Sequence, residues 1–364
     1  MSTTPTVPSD ARPDGAPHPA TDNPNPHEVI DGLVIRSTGS WYNVRTDAGT
    51  DVLARARGRF RLAALEIDET NPLAVGDRVA LRLENDETAL VTAIRPRHNQ
   101  LSRRAAGTRG AVREHVIVAN VDMAWCVQSI FGPKFNPGFV DRFLVAAEAR
   151  HVSAGLILNK ADLMADEPRA QAAMEFWGGL YRDLGYPVLV TSAETGEGVE
   201  ALRMALGDSV SVVSGPSGVG KSSLLNAVEP GLGLKTSHIG EKTQKGRHTT
   251  TFATLYEAAG GWVADTPGVR EFGIWDMAPV ELGGYFVEFR PYLPDCKFPD
   301  CTHDHEPGCR VVEAVEAGEI TEERYASYLG ILETVATEYQ NTKEKRWRTT
   351  GRPDDPDAAV EEIH

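Results

Sequence analysis

Eight residues near the middle of the chain, Gly215-Pro216-Ser217-Gly218-Val219-Gly220-Lys221-Ser222, fit the spacing G-x-x-x-x-G-K-S/T. Glycines at such positions let the backbone curl until successive N–H groups, and the first turn of a following helix, face phosphate oxygens. Lys221 is then placed for the β- and γ-phosphates and Ser222 for Mg²⁺. The loop does not choose between ATP and GTP. Asn159-Lys160-Ala161-Asp162 makes that choice. The Asp162 carboxylate can accept from both N1–H and the 2-amino group of guanine, whereas adenine would leave a buried acceptor unpaired. Asn159 would brace the loop and reach the base edge, and the aliphatic stem of Lys160 would cover the ring. Thr191-Ser192-Ala193 ends a further strand, where a short backbone contact can back the base. Asp265-Thr266-Pro267-Gly268 follows another, with Asp265 holding Mg²⁺ through water and the Gly268 N–H meeting the γ-phosphate.

Hydrolysis needs a positioned water. The residue after Gly268, where many nucleotide hydrolases carry a water-orienting glutamine, is Val269, whose side chain can neither donate nor accept. His248, in the run Gly246-Arg247-His248-Thr249-Thr250-Thr251, is the best replacement, because an imidazole can hydrogen-bond water at neutral pH. A threonine of the same run, taken as Thr250, completes the Mg²⁺ shell; which of the three does so stays open. A surface histidine on a loop is the alternative reading of His248.

The base-reading residues precede the phosphate-binding ones, the reverse of the usual order in GTPases. Joining neighbouring termini and opening a loop elsewhere preserves the sheet. The reading is therefore an α/β P-loop GTPase domain, circularly permuted. It also places the C-terminal part of the chain directly after the phosphate-sensing segment, where a nucleotide-dependent shift can pull on it.

A second chemistry lies further on. Cys296, Cys301, His303 and Cys309 supply three thiolates and one imidazole within one short segment, a set suited to tetrahedral zinc with no open position. The zinc is read as structural. His305 competes with His303 as a ligand on spacing alone, and Cys126, in an apolar strand, reads as a core residue.

The elements that must position these residues follow from pattern. From Val29 to about Arg95, short alternating runs such as Gly32 to Ile35, Val52 to Ala54 and Arg78 to Leu83 predict a small barrel of about five strands. From Val116, apolar strands alternate with helical stretches, the signature of a mostly parallel sheet covered by helices. Expected strands are Val116 to Ala119, Trp125 to Gln128, Gly155 to Leu158, Val188 to Val190, Val210 to Val213, Thr251 to Tyr256 and Trp262 to Ala264. Expected helices follow Gly138, span roughly Pro168 to Leu184 and start near Lys221. After Gly273 the pattern is helical around the Cys/His set. The resulting division is a disordered tail (1–27), an OB-type β-barrel (28–96), the GTPase domain (97–273), a helical zinc-binding domain (274–348) and a second disordered tail (349–364).

Across 364 residues the formal charge is −15, which argues against a wholesale basic nucleic-acid wrapper. No apolar run approaches the roughly 20 residues needed to cross a bilayer, and no signal segment opens the chain, so a cytoplasmic protein without membrane contact is expected. Local basic stretches remain. Arg95, Arg97, His98, Arg103, Arg104, Arg109 and Arg113 cluster without an acidic residue between them, and Arg36, Arg45, Arg55, Arg57, Arg59 and Arg61 lie in the barrel beside Trp41, Tyr42 and Phe60. Such a face holds RNA backbone and unstacked bases, or is simply solvated.

Together, the barrel, Asn159 to Asp162, then Gly215 to Ser223, then Asp265 to Gly268, and the Cys296, Cys301, His303, Cys309 set resemble the ribosome small subunit-dependent GTPase A family over roughly residues 28 to 345. The resemblance implies hydrolysis of GTP to GDP stimulated by the small (30S) ribosomal subunit during its late maturation; a monomer is expected, although the sequence does not give the oligomeric state. It further implies contacts to 16S rRNA, one zinc per chain, Mg²⁺ with the nucleotide, and His248 as the residue that positions water.

Overall fold

The computed structural model describes residues 29–56, 71, 73–104, 114–234, 253–265 and 277–350. The first five strands, β1 (Val29–Ser37), β2 (Trp41–Thr46), β3 (Asp51–Ala56), β4 (Arg78–Leu83) and β5 (Thr88–Ile94), close into a barrel in the order β1-β2-β3-β5-β4. The β3–β5 pairing is parallel and the other four are antiparallel. Strand alternation decides what points inward: Tyr42, Val44, Val52, Ala54, Val79, Leu81, Ala89 and Val91 pack together as one core. Trp41 therefore faces out while its neighbour Tyr42 is buried, so Tyr42 is no surface platform. A two-stranded sheet of β6 (Gln100–Arg104) and β7 (Glu114–Ala119) follows, and an isolated bridge from Val118 to Val75 ties it to the barrel.

The main sheet has six strands in the order β10-β9-β8-β11-β13-β12. β8 (Met123–Gln128), β9 (Ser153–Leu158), β10 (Val188–Val190), β11 (Val210–Ser214) and β13 (Gly261–Asp265) run parallel. β12 (Leu255–Ala258) is antiparallel to β13 and starts later than the expected Thr251; residues 251 and 252 lie outside the described residues. The β12–β13 turn explains the register. Ala259 and Gly260 both have positive φ, 56° and 83°, the two-residue geometry that closes a hairpin tightly.

Helices cover both faces. α1 (Pro137–Glu148) and α2 (Pro168–Asp183) pack on one; α3 (Val199–Leu206), which pattern reading did not single out, and α4 (Lys221–Val228) pack on the other. α1 starts where Pro137 tolerates the lost N–H and Asn136 accepts from the Phe139 N–H. The helix after β8 and the helix after β11 lie on opposite faces although the strands are neighbours. That makes the β8–β11 junction a topological switch point, where ligands bind at strand C-terminal ends.

The C-terminal region consists of short turns at Pro279–Tyr285 and Leu293–Asp295, α5 (Arg310–Glu316) and the long α6 (Glu322–Thr350). Its apolar residues Phe286, Phe289, Tyr328, Ile331 and Val335 join the same core as α1 and α2. No helix among the described residues is long and apolar enough to cross a membrane.

Candidate functional site

The parallel strands bring the expected residues to one edge. Asn159 to Asp162 leave β9, Thr191 to Ala193 leave β10, Gly215 to Gly220 join β11 to α4, and Asp265 ends β13. β9 and β11 are two strand spacings apart, about 10 Å, with β8 between them. The glycine-rich loop has the conformation its sequence requires: Gly218 and Gly220 have φ of 85° and 93°, and a Cβ on Gly215 would stand 2.2 Å from the Val127 carbonyl oxygen. The Lys221 ammonium donates to the Gly215 and Pro216 carbonyls at 2.8 and 3.0 Å, at the centre of the curl.

The two loops interlock. Asn159 is buried, its Nδ2 donates to the Val219 carbonyl at 2.8 Å and its Oδ1 accepts from the Thr191 hydroxyl at 3.1 Å. Asn159 thus ties the loop after β9 to the glycine-rich loop. Ser192 has a role that the short Thr-Ser-Ala run did not announce. Its hydroxyl donates to Asp162 Oδ1 at 2.5 Å while accepting from the Glu194 and Thr195 N–H groups at 3.2 and 3.1 Å. One carboxylate oxygen of Asp162 is held from behind. Lys160 takes a left-handed φ of 66° and its ammonium donates to the Gly132 carbonyl, in a loop no sequence motif marked. Thr250, His248 and Gly268 lie outside the described residues, as does the side chain of Asp265.

The second site lies between the turn at Pro279–Tyr285 and α5. The donor atoms of Cys296, Cys301, His303 and Cys309 all fall within 4.8 Å of one another. His303 Nδ1 is 3.6 Å from Cys296 Sγ and 3.5 Å from Cys309 Sγ. A tetrahedral zinc with bonds of about 2.3 Å to sulfur and about 2.05 Å to nitrogen has an S···N edge of about 3.6 Å, which the two His303–cysteine separations match, and the donor types suit that ion. Burial pushes the Cys301 thiol up to about 12 and raises that of Cys309. A cation held there would reverse this, because coordination deprotonates a thiol. His305 is exposed and pairs with Asp304, outside the donor set, which resolves the competition with His303.

Packing sets the His303 ring. Its edge lies where a Cβ on Gly283 would be, 2.7 Å from His303 Cδ2 and Nε2. Tyr325 and Tyr328 on α6 donate to the carbonyls of His303 and Thr302 at 3.0 and 2.5 Å. Glu306, which spacing did not flag, braces the turn. Its Oε1 accepts from the Thr302 N–H and hydroxyl at 2.7 and 2.5 Å, and its Oε2 from the Asp304 and His305 N–H groups. Burial opposes the charged form, but these bonds outweigh it and hold the Glu306 carboxyl down to about 2.

The described arginines of the barrel and of the segment after it are largely paired. Arg45 pairs with Asp51 and Glu257, Arg55 with Glu84, Arg78 with Asp47, Arg95 with Asp31 and Arg97 with Asp77. Residues 29–56 and 71–97 carry seven arginines and seven carboxylates, so the described barrel is neutral overall. Arg57, Arg59, Phe60, Arg61, Arg109 and Arg113 lie outside the described residues.

A switch-point nucleotide loop, a base-reading loop locked to it and motifs in reversed order define a circularly permuted P-loop GTPase behind a five-stranded barrel. Comparison with known proteins agrees: the family model for the RsgA GTPase matches residues 94–275, and that for the RsgA N-terminal domain matches residues 31–91. The chain belongs to the RsgA GTPase family and is a GTP-hydrolysing enzyme. It is 43% identical over 304 residues to small ribosomal subunit biogenesis GTPase RsgA 2 of Bacteroides thetaiotaomicron, covering 83% of this chain and 96% of the relative. It is 44% identical over 304 residues to small ribosomal subunit biogenesis GTPase RsgA of Gemmatimonas aurantiaca, covering 82% and 95%. The crystal structure of YjeQ from Thermotoga maritima superposes with a TM-score of 0.69 at 36% identity, over 85% of this chain and 99% of that one. That of YloQ, a circularly permuted GTPase, gives 0.67 at 30% identity, over 88% and 98%.

Proposed function

We propose that this enzyme is a GTP-driven switch in small ribosomal subunit biogenesis: it binds the 30S subunit and 16S rRNA as a cytoplasmic monomer, assists late maturation, and hydrolyses GTP when the subunit stimulates it. The observation that carries the nucleotide part is the interlock of Asn159 with the Val219 carbonyl, beside an Asp162 carboxylate held by Ser192. In this reading Asp162 reads guanine, with Asn159, Lys160, Ala161, Ser192 and Ala193 around the base. Gly215, Pro216, Ser217, Gly218, Val219, Gly220, Lys221, Ser222 and Ser223 hold the phosphates, Gly268 meets the γ-phosphate, and Asp265 would hold Mg²⁺ through water. Ser222 and Thr250 would hold Mg²⁺, which supplies charge neutralisation on the β- and γ-phosphates. His248 positions the attacking water. Cys296, Cys301, His303 and Cys309 hold a structural zinc, supported by the match of the donor spacing to a tetrahedral edge. The names of the relatives support the ribosomal part. Multiple-turnover GTP hydrolysis with and without purified small subunits tests the proposal: strong stimulation is expected, and an unaltered rate would leave a GTPase whose partner lies elsewhere.

A further inference from the structure

Two consecutive carbonyls in the loop between β8 and α1 are each held by a side chain. The Lys160 ammonium donates to the Gly132 carbonyl, and the buried Ser129 hydroxyl donates to the Pro133 carbonyl at 2.8 Å. The ends of this loop are fixed independently. Ile130 and Phe135 are buried, the Phe135 N–H donates to the Ile130 carbonyl at 3.2 Å, the Phe135 ring stacks on Trp177 with centroids 4.8 Å apart, and Asn136 caps α1. Between these anchors Gly132 takes a φ of 59°. The loop then meets the phosphate loop: a Cβ on Gly218 would be 3.9 Å from Pro133 Cδ. The stem of Lys160 crosses the same loop, since a Cβ on Gly220 would be 3.7 Å from Lys160 Cε. One lysine therefore spans the base loop, the phosphate loop and this third loop.

We propose that the loop from Ser129 to Asn136 is a third wall of the guanine-nucleotide pocket, and that Ser129 and Lys160 are positioning residues that hold it against the phosphate loop and slow nucleotide release. The inference rests on reading Asn159 to Asp162 and Gly215 to Ser222 as the nucleotide site. The physical reason is rigidity. A nucleotide leaves when the loops around it open together, and each side-chain bond to the wall's backbone must break for that wall to swing away. Losing one such bond corresponds to roughly a three- to tenfold change in rate. For Lys160 this role belongs to the ammonium, whereas covering the base belongs to the stem, so the two separate by substitution.

The test is stopped-flow release of fluorescent GDP and of a fluorescent non-hydrolysable GTP analogue from full-length variants. Ser129→Ala and Lys160→Met, which keeps the stem, are each expected to release both nucleotides roughly three- to tenfold faster. Lys160→Arg, which keeps a donor, should restore slow release, a rescue that loss of packing alone does not predict. Because both bonds hold one wall, the double variant should fall short of the product of the single effects. Wild-type release from a folded Ser129→Ala protein would overturn the proposal, as would Lys160→Arg behaving like Lys160→Met. Asp162→Asn in the same assay keeps the two levels apart. If it shifts preference toward xanthine nucleotides while Ser129→Ala changes nothing, only the wall fails; if base preference does not move, the nucleotide-site reading itself fails.

Discussion

Asp162 and Glu306 are carboxylates whose roles depend on which donors reach them. At Asp162 the Ser192 hydroxyl occupies one oxygen, which orients the group for a base carrying two adjacent N–H donors. Asp162→Asn should weaken GTP binding and improve xanthosine triphosphate binding, because the amide offers a donor where xanthine has a carbonyl; competition binding with the two nucleotides measures it. Glu306 accepts from the backbone of the Cys/His turn through both oxygens. Its folded carboxyl, near 2, lies below the ordinary value of about 4.3, so its stabilising effect is complete above that ordinary value and is lost as pH falls from there toward 2. Glu306→Gln places an NH₂ group against N–H donors or forfeits half the bonds. It should lower the thermal midpoint of the C-terminal region near pH 7, and the gap from wild type should narrow as pH falls from about 5 to about 3. For His248 the expected result is kinetic. His248→Ala should keep GTP affinity and subunit binding but lower subunit-stimulated kcat by about 100-fold, the scale of a positioned acid–base group; normal stimulated turnover would place the water under other control.

At the scale of elements, a buried polar link joins α6 to α1 and α2. Arg324 on α6 is 2% exposed; it binds Asp141 of α1, forms a two-pronged pair with Glu288 at 2.6 and 3.1 Å, and lies over the Phe286 ring. The Tyr181 hydroxyl of α2 donates to the same Asp141 oxygen at 2.7 Å. Burial pushes the Asp141 carboxyl up, and Arg324 works against that push. A guanidinium keeps its proton even when buried, so the two carboxylates are its compensation. Arg324→Met leaves Asp141 buried without a counter-charge. It should destabilise the protein by about 3 kcal/mol, read as a lower denaturant midpoint together with faster proteolysis of α6. An unshifted midpoint would mean that apolar contact alone holds α6 in place. This link matters for function because α1 begins at the end of the loop that walls the nucleotide site.

Across the whole molecule, the barrel meets the main sheet through an isolated bridge from Arg36 to Thr254 and through Arg45, which pairs with Glu257 and stacks 5.3 Å above Trp262. Among the described residues, Arg45, Arg55, Arg95 and Arg97, which composition offers to RNA, are paired with acids, and Arg45 also reaches the neighbouring domain. Arg55 is the clearest case, paired with Glu84 at 3.0 Å on an exposed strand face. A guanidinium already neutralised releases few counterions, so Arg55→Ala should change the salt slope of small-subunit binding by well under one unit. Glu84→Gln, which frees Arg55, should steepen that slope. Binding measured from about 50 to 200 mM salt distinguishes these outcomes, and a full-unit loss in Arg55→Ala would mean that RNA displaces Glu84.

The sequence by itself determined the parts of this protein whose physics is local. The glycine-rich loop, the Asn159 to Asp162 tetrapeptide, the Cys/His set and strand alternation all act within a few residues, so their spacing is legible in the sequence. The order of the motifs revealed the permutation for the same reason. The expected strands at Trp125 to Gln128, Gly155 to Leu158 and Val188 to Val190 fall within or on β8, β9 and β10; the first two are runs buried on both faces, which have few other places to go, and the third is a half-buried apolar run at the sheet edge. Tertiary structure alone decided what depends on partners far apart in the chain. Ser192 reaches Asp162 across 30 residues, Lys160 reaches Gly132 across 28 and Arg324 reaches Asp141 across 183. Whether an arginine is free or paired, which of His303 and His305 turns inward, and which face α3 covers are likewise set by packing between elements, where a single residue's type carries no record of its neighbour.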